Sequence, residues 1–207
     1  MADVFLFAGP TLARARAMRP ALDLGEIREQ PPVQRGDLPR LVKEQPPGVI
    51  ALVDGKFHQV LAVGHAEIRQ AIAAGWAVWG MSSLGAIRAR EMHHLGMKGF
   101  GKVFELYCQP GDFRDDEVTL LHEQDPPYRE LSEPLVHLRL ALRGVIGGEL
   151  AESLVRELED MYFGDRTLAW VKNRLGGAYE RFAADLDRYR IKSLDLVDFV
   201  ERRAWSG

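Results

Sequence analysis

The chain has 207 residues, of which 46% are hydrophobic and 28% are charged, and its formal net charge is -3. This composition excludes a disordered, collagen-like, disulfide-rich or membrane-spanning protein and indicates a globular one. The length is sufficient for one large domain, or for a core with a smaller appendage, held together without disulfides or a structural metal.

Short apolar runs alternate with helical patterns in the first half of the chain. Residues 4–8, 48–53 and 76–80 are continuous apolar segments, each ending at glycine, proline or aspartate. Helical patterns lie between and after them, the first opened by Thr11 as a predicted N-cap. Because such strands separated by helices of about ten residues are typical of βαβ units, we predict an α/β fold with a parallel sheet buried on both faces.

The chain becomes almost wholly helical after the Pro126-Pro127 pair. Ser132 and Pro134 mark a helix start, and a glycine pair at 147–148 separates that helix from the next. We therefore predict an α/β core domain over residues 1–127 and a helical C-terminal part over residues 128–207, packed on the core. The sequence does not assign elements between residues 96 and 127.

Cysteine content and charge distribution indicate the compartment and the class of partner. Cys108 is the only cysteine, and the first ten residues lack the basic segment of a signal peptide. We therefore expect a cytoplasmic protein without a membrane anchor. Since the chain has no basic tail or stripe, we expect no nucleic-acid partner.

Three loops follow the predicted strands, and ligands of open parallel sheets bind at the carboxyl ends of the strands. The loops are residues 9–11, 54–57 and 80–85. They meet in one crevice if the three strands are parallel neighbours, which the sequence alone does not establish.

The third loop, Gly80-Met81-Ser82-Ser83-Leu84-Gly85, leads from a strand directly into a helix. A serine at such a turn can act as a nucleophile, and the N–H groups of the first helical turn can hold an anion. The spacing differs from the nucleophile-elbow pattern G-x-S-x-G, because the second glycine comes one position late. The alternative is that Ser82 or Ser83 only caps the helix.

Ionisable side chains near this loop are the other candidates for chemistry. His65 and Glu67 begin a helix, where the histidine can serve as a base or the pair can simply form a solvated first turn. Arg88 and Glu91 are three residues apart on the helix after the serine loop and can form an ion pair. No H-x-x-x-H, H-E-x-x-H or C-x-x-C spacing occurs, so we assign no metal or cofactor.

Five stretches of the chain carry a family signal. They are FLFAGPTL near the start, QPPVQRGDL at 30–38, the long segment from Ile50 to Phe104, DDEV at 115–118 and LSEPLVHLR at 131–139. Taken together and in order, these stretches resemble the TfuA-like family. The resemblance runs from residue 4 to about residue 140, and it assigns nothing to the last helices.

The resemblance implies a role beside a YcaO-type, ATP-dependent cyclodehydratase in the backbone thioamidation of ribosomally made peptides or proteins. It further implies that the protein supplies sulfide by hydrolysing the thiocarboxylated C-terminus of a ubiquitin-like sulfur carrier protein. A persulfide relay would need an activated cysteine, whereas Cys108 lies between Tyr107 and Gln109 without a paired or basic motif. The sequence therefore favours a thiocarboxylate hydrolase over a sulfur relay.

The resemblance also maps catalytic residues onto this reaction. Ser83 matches the serine of the family's G-x-x-S-x-G-A-x-R-A stretch and is the expected nucleophile or positioning hydroxyl. His65 is the expected base, with Glu67 or Asp54 orienting it.

A second set of residues is expected to bind the substrate. The N–H groups of Leu84 and Gly85 are the expected oxyanion donors, Arg88 steers the anionic thiocarboxylate, and Glu91 pairs with Arg88. Arg35 and Asp37, in the QPPVQRGDL stretch, complete the set and also form a turn that caps the helix reaching Glu44.

The alternative function is a non-catalytic partner that activates the YcaO enzyme allosterically or recruits the carrier. Its expected surface is the helical C-terminal part, whose candidate residues are either interface or core. They are Met161, Tyr162, Phe163, Trp170 and Trp205. The sequence does not favour a third function, nucleotide binding, because neither glycine-rich phosphate-binding motif follows a predicted strand.

Overall fold

A computed structural model describes residues 3–56, 61–111 and 113–206 of the chain. Its strands are β1 (Val4–Phe7), β2 (Ile27–Gln30), β3 (Val49–Leu52), β4 (Ala77–Met81) and β5 (Lys98–Phe100). They form one parallel sheet in the order β2-β1-β3-β4-β5. The predicted α/β class is confirmed.

Helices connect the strands and make up most of the remaining chain. In the described residues they are α1 (Pro10–Met18), α2 (Asp37–Glu44), α3 (His65–Ala73), α4 (Leu84–Met92), α5 (Gly101–Cys108), α6 (Leu135–Ala141), α7 (Gly148–Glu159), α8 (Leu168–Leu175), α9 (Tyr179–Asp185) and α10 (Ile191–Glu201). A π-helical segment, Leu142–Ile146, extends α6. No helix in the described ranges has the length and apolar character needed to cross a bilayer.

Both faces of the sheet are covered, because successive strand residues point to opposite sides. In β1, Phe5 and Phe7 pack with buried residues of α2, α3 and α4. Val4 and Leu6 pack on the other side with buried residues of α1 and α10. This arrangement explains why the central strands read as unbroken apolar runs.

The chain forms two compact units, Met1–Gly111 with Lys192–Gly207, and Asp112–Ile191. This division differs from the predicted one, which places a single boundary after residue 127. The second unit begins earlier, and α10 returns to the first unit, where Leu196 and Phe199 are fully buried in the cluster that covers the sheet.

The second unit contains a buried ionic cluster beside its apolar core. Glu133, His137 and Arg190 are each less than a tenth exposed. Glu133 pairs with Arg190, and its Oε2 lies 3.4 Å from Nδ1 of His137. Burial opposes ionisation of Glu133, but the His137 hydrogen bond and the Arg190 charge outweigh it and lower its pKa to about 2. The carboxylate is therefore an anion inside the unit.

Asp195 of α10 anchors the start of α5 in the first unit. Its carboxylate accepts hydrogen bonds from the N–H groups of Lys102 at 2.8 Å and Val103 at 2.9 Å. Burial, with a smaller contribution from Glu105 and Asp198, raises the pKa of Asp195 to about 7 despite these bonds. Ionising the folded protein at this residue is therefore costly.

The raised pKa predicts a stability that falls as pH rises. Below pH 7 the folded state holds a proton that the unfolded state, with its ordinary pKa of 3.8, has already released. The free energy of unfolding should decrease by about 2 kcal/mol between about pH 5.5 and about pH 8.5. Urea unfolding of the wild type and of Asp195→Asn over this range checks the prediction, since the variant should lose this part of the slope.

Candidate functional site

The carboxyl ends of β1, β3 and β4 lie side by side. These strands are parallel neighbours, which is the condition for the three predicted loops to meet. The N–H groups of Val53 and Asp54 both donate to the carbonyl of Phe7, and Gly85 N–H donates to the carbonyl of Val53 at 3.1 Å. The loops after the strands are thus tied together, although Phe57 of the second loop lies outside the described residues.

Asp54 is the carboxylate at the centre of this edge and is 3% exposed. Its Oδ2 accepts the N–H groups of Gly9 at 2.9 Å and Thr11 at 3.0 Å. Its Oδ1 accepts the Thr11 hydroxyl at 2.7 Å. The prediction of Thr11 as the N-cap is wrong, because α1 begins at Pro10 and the long-range carboxylate of Asp54 satisfies the first N–H groups.

Replacing Asp54 with asparagine should lower the free energy of unfolding by about 2 kcal/mol, because an amide oxygen accepts the two N–H groups more weakly than a carboxylate does and the Thr11 hydroxyl has to accept instead of donate. The matched control is Asp23→Asn, whose carboxylate accepts the single N–H of Gly25 at the surface. Chemical denaturation of both variants checks this. Equal stability of the two variants would contradict the anchoring role.

The turn between β4 and α4 is strained at Ser82. Ser82 has a φ of 65°, a left-handed conformation that is uncommon for residues other than glycine. The chain also passes very close to itself. A Cβ on Gly80 would lie 2.1 Å from the carbonyl oxygen of Gly85, and one on Gly85 would lie 1.8 Å from that of Leu52. Both glycines are therefore needed for this strand-to-helix turn, which has the character of a nucleophile elbow despite its different spacing.

Helix α10 contributes its first turn to the same place. The Ser82 hydroxyl donates to the carbonyl of Lys192 at 2.8 Å, and the Ser193 hydroxyl donates to the carbonyl of Thr11 at 3.4 Å. The Lys192 side chain is 2% exposed. The strained serine is therefore bonded to the main chain of Lys192, and the side chain of Lys192 is buried.

The sequence interpretation missed both Ser82 as the strained residue and Lys192 altogether. One signal for Lys192 was present. With Leu196 and Phe199 it recurs at intervals of four and three residues, which places it on the apolar face of a helix. Lysine is rarely found fully buried unless it is paired, which makes the position unusual for an apolar helix face.

Ser83 is the N-cap residue of α4 and is buried, but its side chain does not bond the first helical turn. The capping alternative therefore does not account for its hydroxyl. Two N–H groups are the predicted oxyanion donors. The prediction is wrong for Gly85, because its N–H already donates to the carbonyl of Val53. The N–H of Leu84 begins the helix and has no described acceptor.

The predicted base, His65, lies in an exposed ionic group. Its Nε2 is 2.7 Å from Oε2 of Glu91, which also accepts Nη1 of Arg88 at 2.7 Å. Because a carboxylate only accepts, Nε2 of His65 is the donor. Burial opposes ionisation of Glu91, but the hydrogen bonds from His65 and Arg88 outweigh it and lower its pKa. The predicted Arg88–Glu91 pair is confirmed, and His65 is oriented by Glu91 rather than by Glu67 or Asp54.

The remaining predicted residues join α2 to α3. Glu67 accepts the N–H of Gly36 at 2.9 Å, and its Oε1 lies 3.9 Å from Nε of Arg35. Asp37 accepts the N–H of Gln34 at 2.9 Å at the start of α2. The predicted turn before α2 is confirmed, and Gly36 occupies its left-handed N-cap position.

Metal ligation and thiol chemistry depend on two other sets of residues. No three His, Cys, Asp or Glu side chains in the part of the chain that the structure describes gather closely enough to hold a metal ion. Cys108 is an exposed free thiol at the end of α5. Among the described residues, the site at the sheet edge therefore consists of serine and threonine hydroxyls, the Asp54 carboxylate and the main-chain carbonyl of Lys192.

Comparison with known proteins identifies the family. No curated protein matches the chain. A family model described as TfuA-like protein matches residues 54–167, more than half of the 207 residues. This match includes Asp54, the serine turn and α4, but it begins after the stretches at 5–12 and 30–38 and ends before Lys192. The chain therefore belongs to the TfuA-like family.

Proposed function

We propose that this protein hydrolyses the thiocarboxylated C-terminus of a ubiquitin-like sulfur carrier protein and so supplies sulfide to a YcaO-type enzyme for backbone thioamidation. Membership of the TfuA-like family supports the YcaO association. The observation that carries the hydrolytic role is the strained Ser82 between two obligatory glycines. Its hydroxyl donates to the carbonyl of Lys192, whose side chain is buried.

The reaction is acyl transfer to water. The serine oxygen attacks the carbonyl carbon of the thiocarboxylate, and its proton passes to a base. The C–S bond then breaks, sulfide leaves with a proton, and the carrier remains as an ester on the serine. Water hydrolyses the ester and leaves a carboxylate on the carrier. The sulfur is released without oxidation or reduction, so neither a cofactor nor Cys108 takes part.

Ser82 and Ser83 are the two candidate nucleophiles in this scheme. Ser82 has the strained backbone of a nucleophile, whereas Ser83 matches the family's serine and has a hydroxyl unused in capping. Lys192 is the base proposed for the serine, since buried lysines serve as general bases. The N–H of Leu84 is the proposed donor to the oxyanion.

The exposed group of His65, Arg88 and Glu91 is proposed to receive the carrier. Arg88 is held in place by Glu91 and by a bond from its Nε to the carbonyl of Val63 at 3.1 Å. A fixed guanidinium attracts an anionic chain terminus. His65 then acts on binding rather than on the serine.

Sulfide release from a thiocarboxylated carrier tests the proposal. Ser82→Ala, Ser83→Ala and His65→Ala are compared with the wild type after circular dichroism has shown that they fold. We expect loss of turnover when the nucleophilic serine is removed and a raised KM with little change in kcat for His65→Ala. Wild-type rates in both serine variants would refute the catalytic assignment. Absence of sulfide release by the wild type, with YcaO activation intact, would support the non-catalytic alternative.

A further inference from the structure

A cavity of about 540 Å³ lies at the other end of the sheet. Its lining comes from residues 21–26, from Val49, which is the first residue of β3, and from residues 200, 201, 203, 205 and 206. Candidate catalytic groups lie at the carboxyl ends of the strands, so this cavity is a separate place in the same unit. Its volume is in the range of about 300–1,000 Å³ that is usual for small-molecule sites.

One wall of the cavity is apolar and well packed. Leu22, Leu24, Val200 and Trp205 contribute to the apolar cluster that covers this face of the sheet. The Trp205 ring lies 5.3 Å from that of Phe199, which is fully buried. The wall is therefore fixed by the core behind it and offers a preformed surface to an aliphatic or aromatic group.

Three acidic side chains and one arginine line the same cavity. Two of the acids, Asp23 and Glu201, are already bonded within the protein. The side chains of Glu26 and Arg203 have no ion-pair partner among the described residues. Arg203 also has a φ of 47°, and its Nη2 lies 3.9 Å from the position of a Cβ on Gly25. A left-handed residue just after a helix therefore presents an unpaired guanidinium at a concave surface, where a ligand can reach it.

We propose that this cavity binds a small zwitterion of the amino-acid type with an apolar body. Arg203 pairs with the carboxylate and Glu26 with the ammonium group. The apolar body lies against Leu22, Leu24 and Trp205. A ligand of a single charge would pair with only one of these two exposed side chains. This inference does not depend on the proposed hydrolase activity.

An NMR titration of the full chain with three probes tests the inference. L-phenylalanine carries both charges, phenethylamine lacks the carboxylate and 3-phenylpropanoate lacks the ammonium group. We expect saturable shifts of the amide signals of residues 21–26 and 200–206 with L-phenylalanine, and affinities at least about tenfold weaker for the other two. Absence of saturable shifts at these residues, or equal binding of a singly charged probe, would overturn it.

Substitution of Arg203 supplies the second arm. Arg203→Gly removes the guanidinium and relieves the left-handed backbone, so the fold is not endangered. The control is Arg202→Gln, which changes a neighbouring arginine that pairs with Asp198 at 2.9 Å on the surface. We expect L-phenylalanine binding to be lost in the first variant and kept in the second. Unchanged binding in Arg203→Gly would refute the proposal.

Discussion

Replacing Lys192 with methionine should reduce sulfide release from a thiocarboxylated carrier by about a thousandfold, within the range contributed by a general base. Lys192 is 2% exposed, and its carbonyl accepts the Ser82 hydroxyl. Methionine keeps the length and apolar stem of the side chain and removes only the ammonium group. We therefore expect the variant to fold and to bind the carrier while losing turnover.

A matched control separates this effect from the general loss of a positive charge. Lys98→Met changes a lysine at the start of β5, whose Nζ lies 4.8 Å from the centre of the Trp79 ring. Its sulfide release should equal that of the wild type. Retention of the wild-type rate by a folded Lys192→Met protein would remove lysine from the mechanism.

Replacing Glu133 with glutamine should lower the free energy of unfolding by about 3–5 kcal/mol. The near-isosteric amide leaves buried Arg190 with only the exposed Asp187 as an ion-pair partner, and its single oxygen cannot face both Arg190 and His137. The control is Glu152→Gln, which breaks an exposed pair with Arg143 at 2.8 Å and should leave stability unchanged. Urea denaturation of both variants measures the difference.

The lowered pKa of Glu133 fixes the pH at which this difference disappears. Its folded value of about 2 lies below its ordinary value of 4.5, so its contribution is fully present above pH 4.5 and is lost as pH falls toward 2. The wild type should lose about 3 kcal/mol from this residue over that interval. Glu133→Gln lacks this part of the pH dependence. An undiminished gap between the two proteins near pH 2 would contradict the assignment.

Apolar patterning predicts the centre of the sheet and misses its edges. The runs at β1, β3 and β4 are visible because both of their faces are buried. At one edge, β2 exposes Arg28 and Glu29 to solvent and so lacks an apolar run. At the other edge, β5 has three residues with glycine at its centre. Neither edge strand presents a periodicity that a sequence window can detect.

Part of the candidate site is likewise predictable from local sequence, whereas another part depends on contacts between residues far apart in the chain. Sequence order and the rule for parallel sheets predict that the loops at Asp54 and at Ser82 and Ser83 meet. Which of the two adjacent serines is strained depends on one backbone angle, and the amino-acid sequence does not determine that angle. Lys192 is 110 residues from Ser82 along the chain, and only the return of α10 to the first unit brings them together.

The most direct test of the proposed hydrolysis is the intact mass of the carrier after incubation with the purified protein alone. With YcaO and ATP omitted, the carrier should change from thiocarboxylate to carboxylate, by exchange of one sulfur for one oxygen, and Lys192→Met should leave it unchanged. A wild-type protein that leaves the thiocarboxylate intact, or a Lys192→Met protein that converts it at the wild-type rate, would contradict the account.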